Sequence, residues 1–422
     1  MKKEQDLKQP LYIILLLILA GEAVFILPFV LARVFRPTFL EVFNLTNLEL
    51  GSLFSVYGIV AFISYITGGP LADKFQPKIL LSVALLLTAL GGLVMATYPS
   101  YSVLLLLYGY WGFTTIFLFW AAMIKATRIW GGTKKQGLAF GFLDGGRGLV
   151  AAGFGSLGVL IFSLLINVDI NEASLPERKE AFRYVVLISS AIIGLIALLV
   201  FIFLKLKTAE TITRQKNSLQ STFSNFSTVI KTPSVWLLMV IILCAYVGYK
   251  ITDVFSLYAK EVMGYDEIKS AEVGTFMLYI RPVVGVCIGL LADRSRVSLM
   301  MILSFLIMLI GSLLFASGII GPNTVILFFL ALLITATGVY AFRTLYFAAM
   351  EEGYIPITVT GTAVGVISLV GYTPDIFAGP AMGYLLDNSP GESGHQHVFI
   401  MLAVFSIIGL IAATQFYRIS KK

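Results

Sequence analysis

The sequence predicts an all-α polytopic membrane protein, with twelve transmembrane helices arranged as two pseudo-symmetric six-helix bundles. Three observations carry that reading. Apolar runs of about 20 residues, the length that crosses a ~30 Å hydrocarbon core as a helix, follow one another along the whole chain. A polar segment rich in Ser, Thr, Asn, Gln and Lys separates the sixth run from the seventh. The same loop sequence stands once in each half, at the equivalent place.

Composition excludes most other classes. Hydrophobic residues make up 58% of the 422, charged residues only 13%, and the mean hydropathy is +0.92. A soluble chain carries roughly a quarter charged residues. A bilayer offers no water to backbone groups, so the apolar runs must be helical. The net charge of +7 does not point to nucleic acid. Its basic residues lie in short hydrophilic gaps between apolar runs, where topology determinants belong. Cys244 and Cys287 both fall inside apolar runs, which argues against a structural disulfide or a metal site. The first run follows Lys2, Lys3 and Lys8 without a small-residue cleavage site, and reads as a retained helix and not a signal peptide.

The helices are expected at residues 11–34, 50–72, 78–98, 102–128, 137–166, 181–206, 234–259, 268–292, 298–318, 323–349, 357–386 and 396–418. The fifth and eleventh are long and rich in glycine, which suggests tilt and close packing. Within the fifth, the glycine-rich stretch from Gly141 to Gly158, which contains Gly141-x-x-x-Gly145, reads as a helix-packing region and not a phosphate loop. The domains follow as an N-terminal bundle over 1–206, a cytoplasmic linker over 207–233 and a C-terminal bundle over 234–422.

Charge orients the spans. One set of loops holds Lys2, Lys3 and Lys8, then Lys74 and Lys78, then Lys125, Arg128, Lys134 and Lys135. The same side continues with Lys205, Lys207, Arg214, Lys216 and Lys231, then Arg294 and Arg296, and ends at Arg418, Lys421 and Lys422. The opposite loops are mixed or acidic, with Glu172, Glu177 and Glu180 beside Arg178 and Lys179, and later Asp266, Glu267 and Glu272. Both termini are therefore expected in the cytoplasm.

The repeated loop is the sharpest local signal. Gly69-Pro70-Leu71-Ala72-Asp73-Lys74, followed by Lys78, is echoed by Gly289-Leu290-Leu291-Ala292-Asp293-Arg294, followed by Arg296. Both read G-x-L-A-D-[KR], and a repeat at half-chain spacing signals internal duplication. The glycine lets two helices approach, the aspartate can cap or pair across a helix end, and the basic residues anchor the turn at the cytoplasmic face.

In this motif the sequence resembles the major facilitator superfamily, whose loop between helices 2 and 3 carries it. The resemblance extends over the whole chain in helix count, halves and loop pattern. It implies a two-bundle fold that rocks around a central site to give alternating access. It also implies a gate latch formed by Asp73, Lys74 and Lys78, repeated at Asp293 and Arg294. Gln76 stands where the family commonly has a glycine.

Within so diverse a family, function must be argued from the site. An ionisable group inside a span costs about 2.5–3.5 kcal/mol on insertion scales, so each interior one is a functional candidate. At roughly 1.5 Å per residue, Glu22, Arg147 and Arg281 fall near the midplane. Asp144 and Arg343 lie toward the cytoplasm, and Lys250, Asp253 and Asp375 toward the outer half. Asp144 with Arg147, and Lys250 with Asp253, are three apart and can meet on one helix surface. They read either as self-neutralising pairs or as functional groups, with Asp253 a gating candidate. Arg281 and Arg343 have no acid within a turn of their own helix. Each needs an anion, from another helix or from a ligand.

The substrate-binding candidates are Arg147, Arg281 and Arg343, with Lys250, Tyr279 and Tyr340. Arginine suits phosphate, carboxylate, sulfonate or nitrate through bidentate bonds. Glu22, Asp144 and Asp375 are the candidates for proton coupling, because a carboxylate in a span is expensive to keep charged. Glu22 reads equally well as the salt-bridge partner of an interior arginine. Tyr57, Tyr65, Trp111, Trp120, Tyr246, Tyr249 and Tyr346 either line a path for an organic solute or pack the bundle.

No P-loop, hydrolase elbow or metal-ligand cluster is present, and no cofactor is expected. His395-x-His397 alone is too few ligands for a metal site. The expected function is secondary transport of a small, anionic organic solute coupled to protons or a counter-anion, by a monomer in the cytoplasmic membrane. The pattern looks like the sugar-phosphate and organic-anion branches of the family, although Glu22 stands where the phosphate exchangers carry a basic ligand. Nitrate carriers also use arginine and glycine-rich helices 5 and 11. Proton-coupled efflux of drugs or amphipathic compounds is a further alternative, which the aromatics and Glu22 fit. The family's drug antiporters, however, typically carry an arginine in mid-helix 4 and a Gly-Pro element in helix 5. Here helix 4 reads Gly109-Tyr110-Trp111-Gly112 and helix 5 has no proline. A non-transporting membrane sensor is the alternative from another class.

Overall fold

The computed structural model describes residues 9–131, 136–166, 173–206, 229–292, 295–346, 349–355 and 360–420. These residues are helical apart from short connections. The first span, Leu11–Val34, widens into a π-helix at Ile26–Val30. Pro28 explains the widening, because it lacks an N–H and its ring crowds the preceding turn. A short helix, Arg36–Phe43, follows and ends at Asn44 in the left-handed region (φ 52°), which asparagine tolerates.

The second span, Asn47–Lys74, opens on a capping box. Glu49 N donates to Thr46 Oγ1 at 3.1 Å and Thr46 N to Glu49 Oε2 at 2.8 Å, which starts the helix before the expected residue 50. The third is Pro77–Met95. The fourth, Tyr101–Gly131, has its own π stretch at Phe113–Trp120. The fifth is Gln136–Leu165 and the sixth Leu175–Phe203. The sixth starts well before the expected residue 181, because Ser174, Pro176 and Glu177 together form a helix start.

The seventh span, Pro233–Glu261, contains one tight turn at Thr252–Val254. The eighth is Glu267–Ala292 with Pro282 inside it, the ninth Val297–Ala316 and the tenth Val325–Leu345. The eleventh comes in two pieces, Thr360–Gly371 and Pro374–Asn388, and the last span is Glu392–Ser420. Among the described residues eleven helices are long and apolar enough to cross a membrane. The broken eleventh span completes the expected twelve. Its break falls at Pro374, which opens a new helix instead of continuing the old one.

The helices gather into two compact units, Met1–Thr213 with Tyr265–Tyr279 and Arg214–Gly264 with Ile280–Lys422. In the first, Tyr57 and Thr115 share a 2.6 Å hydroxyl contact, Thr88 and Thr114 one at 2.9 Å, and Trp111 Nε1 donates to Thr88 O at 3.2 Å. These bonds satisfy polar groups that lipid-like surroundings would leave costly. The N-terminal part of the eighth span packs here too. A Cβ on Gly274 would lie 3.0 Å from Val34 Cα, so the two backbones are in near contact. In the second unit, Phe315 stacks on Phe399 with centroids 4.4 Å apart, and Glu352 accepts hydrogen bonds from Val297 N and Ser298 N. That carboxylate caps the start of the ninth span.

The expected packing stretch Gly141 to Gly158 makes its contacts in the later part. Among the described residues a Cβ on Gly141 or Gly145 would meet nothing within 4 Å. The fifth span makes its close approaches further along, with Gly146 against Ile18 and Gly155 against Thr275. A G-x-x-x-G spacing marks a face without saying whether a partner lies opposite.

Candidate functional site

In the first unit the two midplane charges meet. Arg147 Nε donates to Glu22 Oε2 at 2.9 Å, and the residues are 7% and 3% exposed. The sequence offered Arg147 a partner three residues back in Asp144, which is half-buried; the structure turns Nε to the first span instead. The guanidinium carbon lies 5.4 Å from the Phe25 ring centroid and 5.8 Å from that of Trp120. Phe25 immediately precedes the π stretch of the first span, and Trp120 ends that of the fourth. Both helix distortions therefore border this ion pair. Aromatic rings beside a cation exclude water and add attraction to their faces.

The second unit holds a larger cluster. Lys250 Nζ lies 3.3 Å from Asp375 Oδ1 and 3.8 Å from Asp253 Oδ2. Tyr246 OH donates toward both carboxylate oxygens of Asp375, each at 3.1 Å. Lys250 and Asp253 are almost fully buried. The broken eleventh span supplies the geometry. Pro374 begins the second piece, so Asp375 falls in its first turn, where the helix dipole favours a negative charge.

Aromatic rings extend this cluster. Tyr246 is offset-stacked on Tyr249 at 5.6 Å and meets Tyr372 edge-on at 4.9 Å. The Arg343 guanidinium lies 4.4 Å above the Tyr249 ring. Arg281 is buried in this unit, and so is Tyr340, while Arg343 is half-buried. Tyr279 belongs to the first unit, is largely exposed, and shares a 2.9 Å contact between its hydroxyl and Ser156 Oγ.

Of the gate residues, Asp73 and Lys74 form the last turn of the second span, and Lys78 Nζ lies 5.7 Å from the Phe201 ring centroid. Asp293 and Arg294 lie outside the described residues, as does most of the 207–233 linker. Sequence reasoning placed Lys125 among the basic loop-end residues without its contact to the second span. Its Nζ donates to Ala72 O at 2.6 Å and closes the C-terminal end of the second span. It also left Tyr246 unconnected to Asp375, although Tyr246 and Lys250 share a helix face at i,i+4. His395 Nε2 pairs with Glu261 Oε2 at 2.9 Å, and no three metal-ligating side chains come together among the described residues.

Two helical units, each with charged side chains neutralised in its interior, are the build of a membrane transporter. The chain belongs to the Major Facilitator Superfamily, whose family model matches residues 11–379. It is 28% identical over 365 residues to the inner membrane protein YqcE of Escherichia coli strain K12, covering 84% of this chain and 83% of that one. With the inner membrane protein YihN of the same organism it shares 26% over 412 residues, 96% of this chain and 95% of that one. Among solved structures it superposes on a bacterial homologue of the human lysosomal transporter Spinster, in an inward-facing and unoccupied conformation. That match has a TM-score of 0.71 at 17% identity, over 96% and 97% of the two chains. The nucleoside transporter NupG matches with a TM-score of 0.70 at 15% identity, over 96% and 99%. These likenesses show the fold.

Proposed function

We infer that this transporter moves a small organic anion across the cytoplasmic membrane by alternating access, with protons as the coupling ion. The buried Glu22–Arg147 contact carries the reading. Arg147 meets Glu22 through Nε alone, so its terminal amino groups remain for a second acceptor. Protonation of Glu22 removes the charge that holds the guanidinium and lets an anion take its place. Proton and anion then occupy one site in linked fashion, which is what coupling requires. Lys250 with Asp375 supplies the equivalent cation and carboxylate in the second unit.

The basic loops support termini in the cytoplasm. The two Escherichia coli relatives are named as inner membrane proteins, which supports the same location here. Asp73, Lys74, Lys78, Asp293, Arg294 and Asp253 are assigned to gating.

The test is uptake by proteoliposomes, screened over organic anions with and without an inward proton gradient. A gradient-driven accumulation that Glu22→Gln abolishes supports the reading. Equal accumulation by the variant along the gradient would remove Glu22 from coupling, and transport confined to uncharged or cationic compounds would remove the anion.

A further inference from the structure

Three tyrosines of the second unit form a row that ion pairing alone does not account for. Tyr246 stands between Tyr249 and Tyr372, with the Tyr246 and Tyr249 planes 29° apart and the Tyr246 and Tyr372 planes 71° apart. Tyr246 and Tyr249 come from the seventh span and Tyr372 from the break in the eleventh, so two elements build one wall. Arg343, from the tenth span, caps the row on Tyr249. All four residues keep part of their surface accessible. Tyrosines that serve packing in this protein look different: Tyr108 and Tyr258 are 0% and 1% exposed.

The chemistry of such a wall is specific. A tyrosine offers an apolar ring and a polar tip, so a row of them favours a flat or ring-shaped body with polar groups at its margin. The tyrosines brace one another and Tyr246 is tied to Asp375, so little side-chain freedom remains to be lost on binding. A guanidinium lying on an aromatic face keeps its N–H donors in its own plane, pointing outward. Stacking on Tyr249 is therefore compatible with holding an anionic group. The arrangement sets an anion contact directly beside a ring contact. Nitrate or an open-chain dicarboxylate would use the first and waste the second.

We propose that this wall is a ring subsite, and that the solute is a cyclic organic anion. Its anionic group is taken by Arg343 and its ring lies along Tyr249 and Tyr246. The proposal rests on the anion reading above and narrows it.

The experiment measures ligand affinity by thermal stabilisation of the purified full-length protein in detergent. Glucose 6-phosphate is compared with inorganic phosphate, and benzoate with acetate, so that each pair isolates a sugar ring or an aromatic ring. At least one ring probe is expected to bind roughly three- to tenfold more tightly than its ringless partner. Tyr249→Leu removes that preference and Tyr249→Phe keeps it. Should Tyr249→Leu fail to fold, Arg343→Lys keeps the charge while losing the guanidinium over the ring, and the preference falls there too. If ringless and ring probes bind alike in the unmodified protein, or if the preference survives Tyr249→Leu or, where that variant does not fold, Arg343→Lys, the ring subsite is wrong and the anion reading stands. If none of the four anions binds, both fall together.

Discussion

Arg178 joins Glu267 to Glu41: its Nη1 lies 3.1 Å from Glu267 Oε1, and 3.0 and 2.8 Å from the two oxygens of Glu41. The Arg178 and Glu267 side chains are 14% and 4% exposed, whereas Glu41 is 37% exposed. One guanidinium thus ties the start of the eighth span to the start of the sixth and to the short helix after the first. Arg178→Gln removes a charged partner from a buried carboxylate and should cost about 1–3 kcal/mol. Glu41→Gln, nearer solvent, should cost well under that. Thermal unfolding in detergent ranks the two, and a larger loss at Glu41 would contradict the geometry.

The glycines give a second contrast. Gly274→Ala forces a methyl group against the Val34 backbone and should destabilise by about 1–3 kcal/mol. Gly141→Ala and Gly145→Ala meet open space and should be neutral or stabilising by up to about 1 kcal/mol, since alanine is the better helix former. The same unfolding assay reads all three.

At the second-unit cluster, Lys250→Met takes the Lys250 cation away from Asp253 and Asp375 in a buried site. The expected loss is about 3–5 kcal/mol. Adding Asp375→Asn should return part of it, because one uncompensated charge goes with the substitution. A double-mutant cycle on stability measures the coupling; strict additivity of the two changes would mean that the 3.3 Å contact carries no weight.

Arg147→Lys tests fork against charge. Lysine keeps the cation beside Glu22 but cannot reach one acceptor through Nε while presenting two further donors to another. Transport of an organic anion should fall by about tenfold or more, with folding largely retained. Wild-type rates in the lysine variant would reduce Arg147 to a counter-charge.

Most of the architecture was legible because a bilayer permits so few solutions. Run length gave the spans, and the twin Asp73 and Asp293 loops gave the family. Helix starts were read late at Thr46 and Ser174, where polar capping residues precede the apolar run and hydropathy is blind to them. The Lys250–Asp253 pair and an arginine partner for Glu22 were legible, but which arginine it is, and Asp375 as a second partner of Lys250, were not. Spacing along one helix offered Arg147 its neighbour Asp144, and the contact made by Nε lies on another helix, at Glu22. Tyr246 and Asp375 are 129 positions apart. Such pairings depend on helix rotation and depth, which a periodic pattern does not specify.

The π stretch at Ile26–Val30 has a consequence for the phase of the first span. A widened turn accommodates an extra residue, so side chains beyond it are rotated by roughly 100° from where a regular helical wheel would place them. Glu22 lies before that shift and the buried Arg33 after it. Closing the stretch into a regular α-helix without removing a residue, as Pro28→Ala would favour, misdirects every side chain that follows, whereas deleting one residue as well restores their aim. The irregularity works as a register setting, and a helix straightened there would be better formed and wrongly aimed.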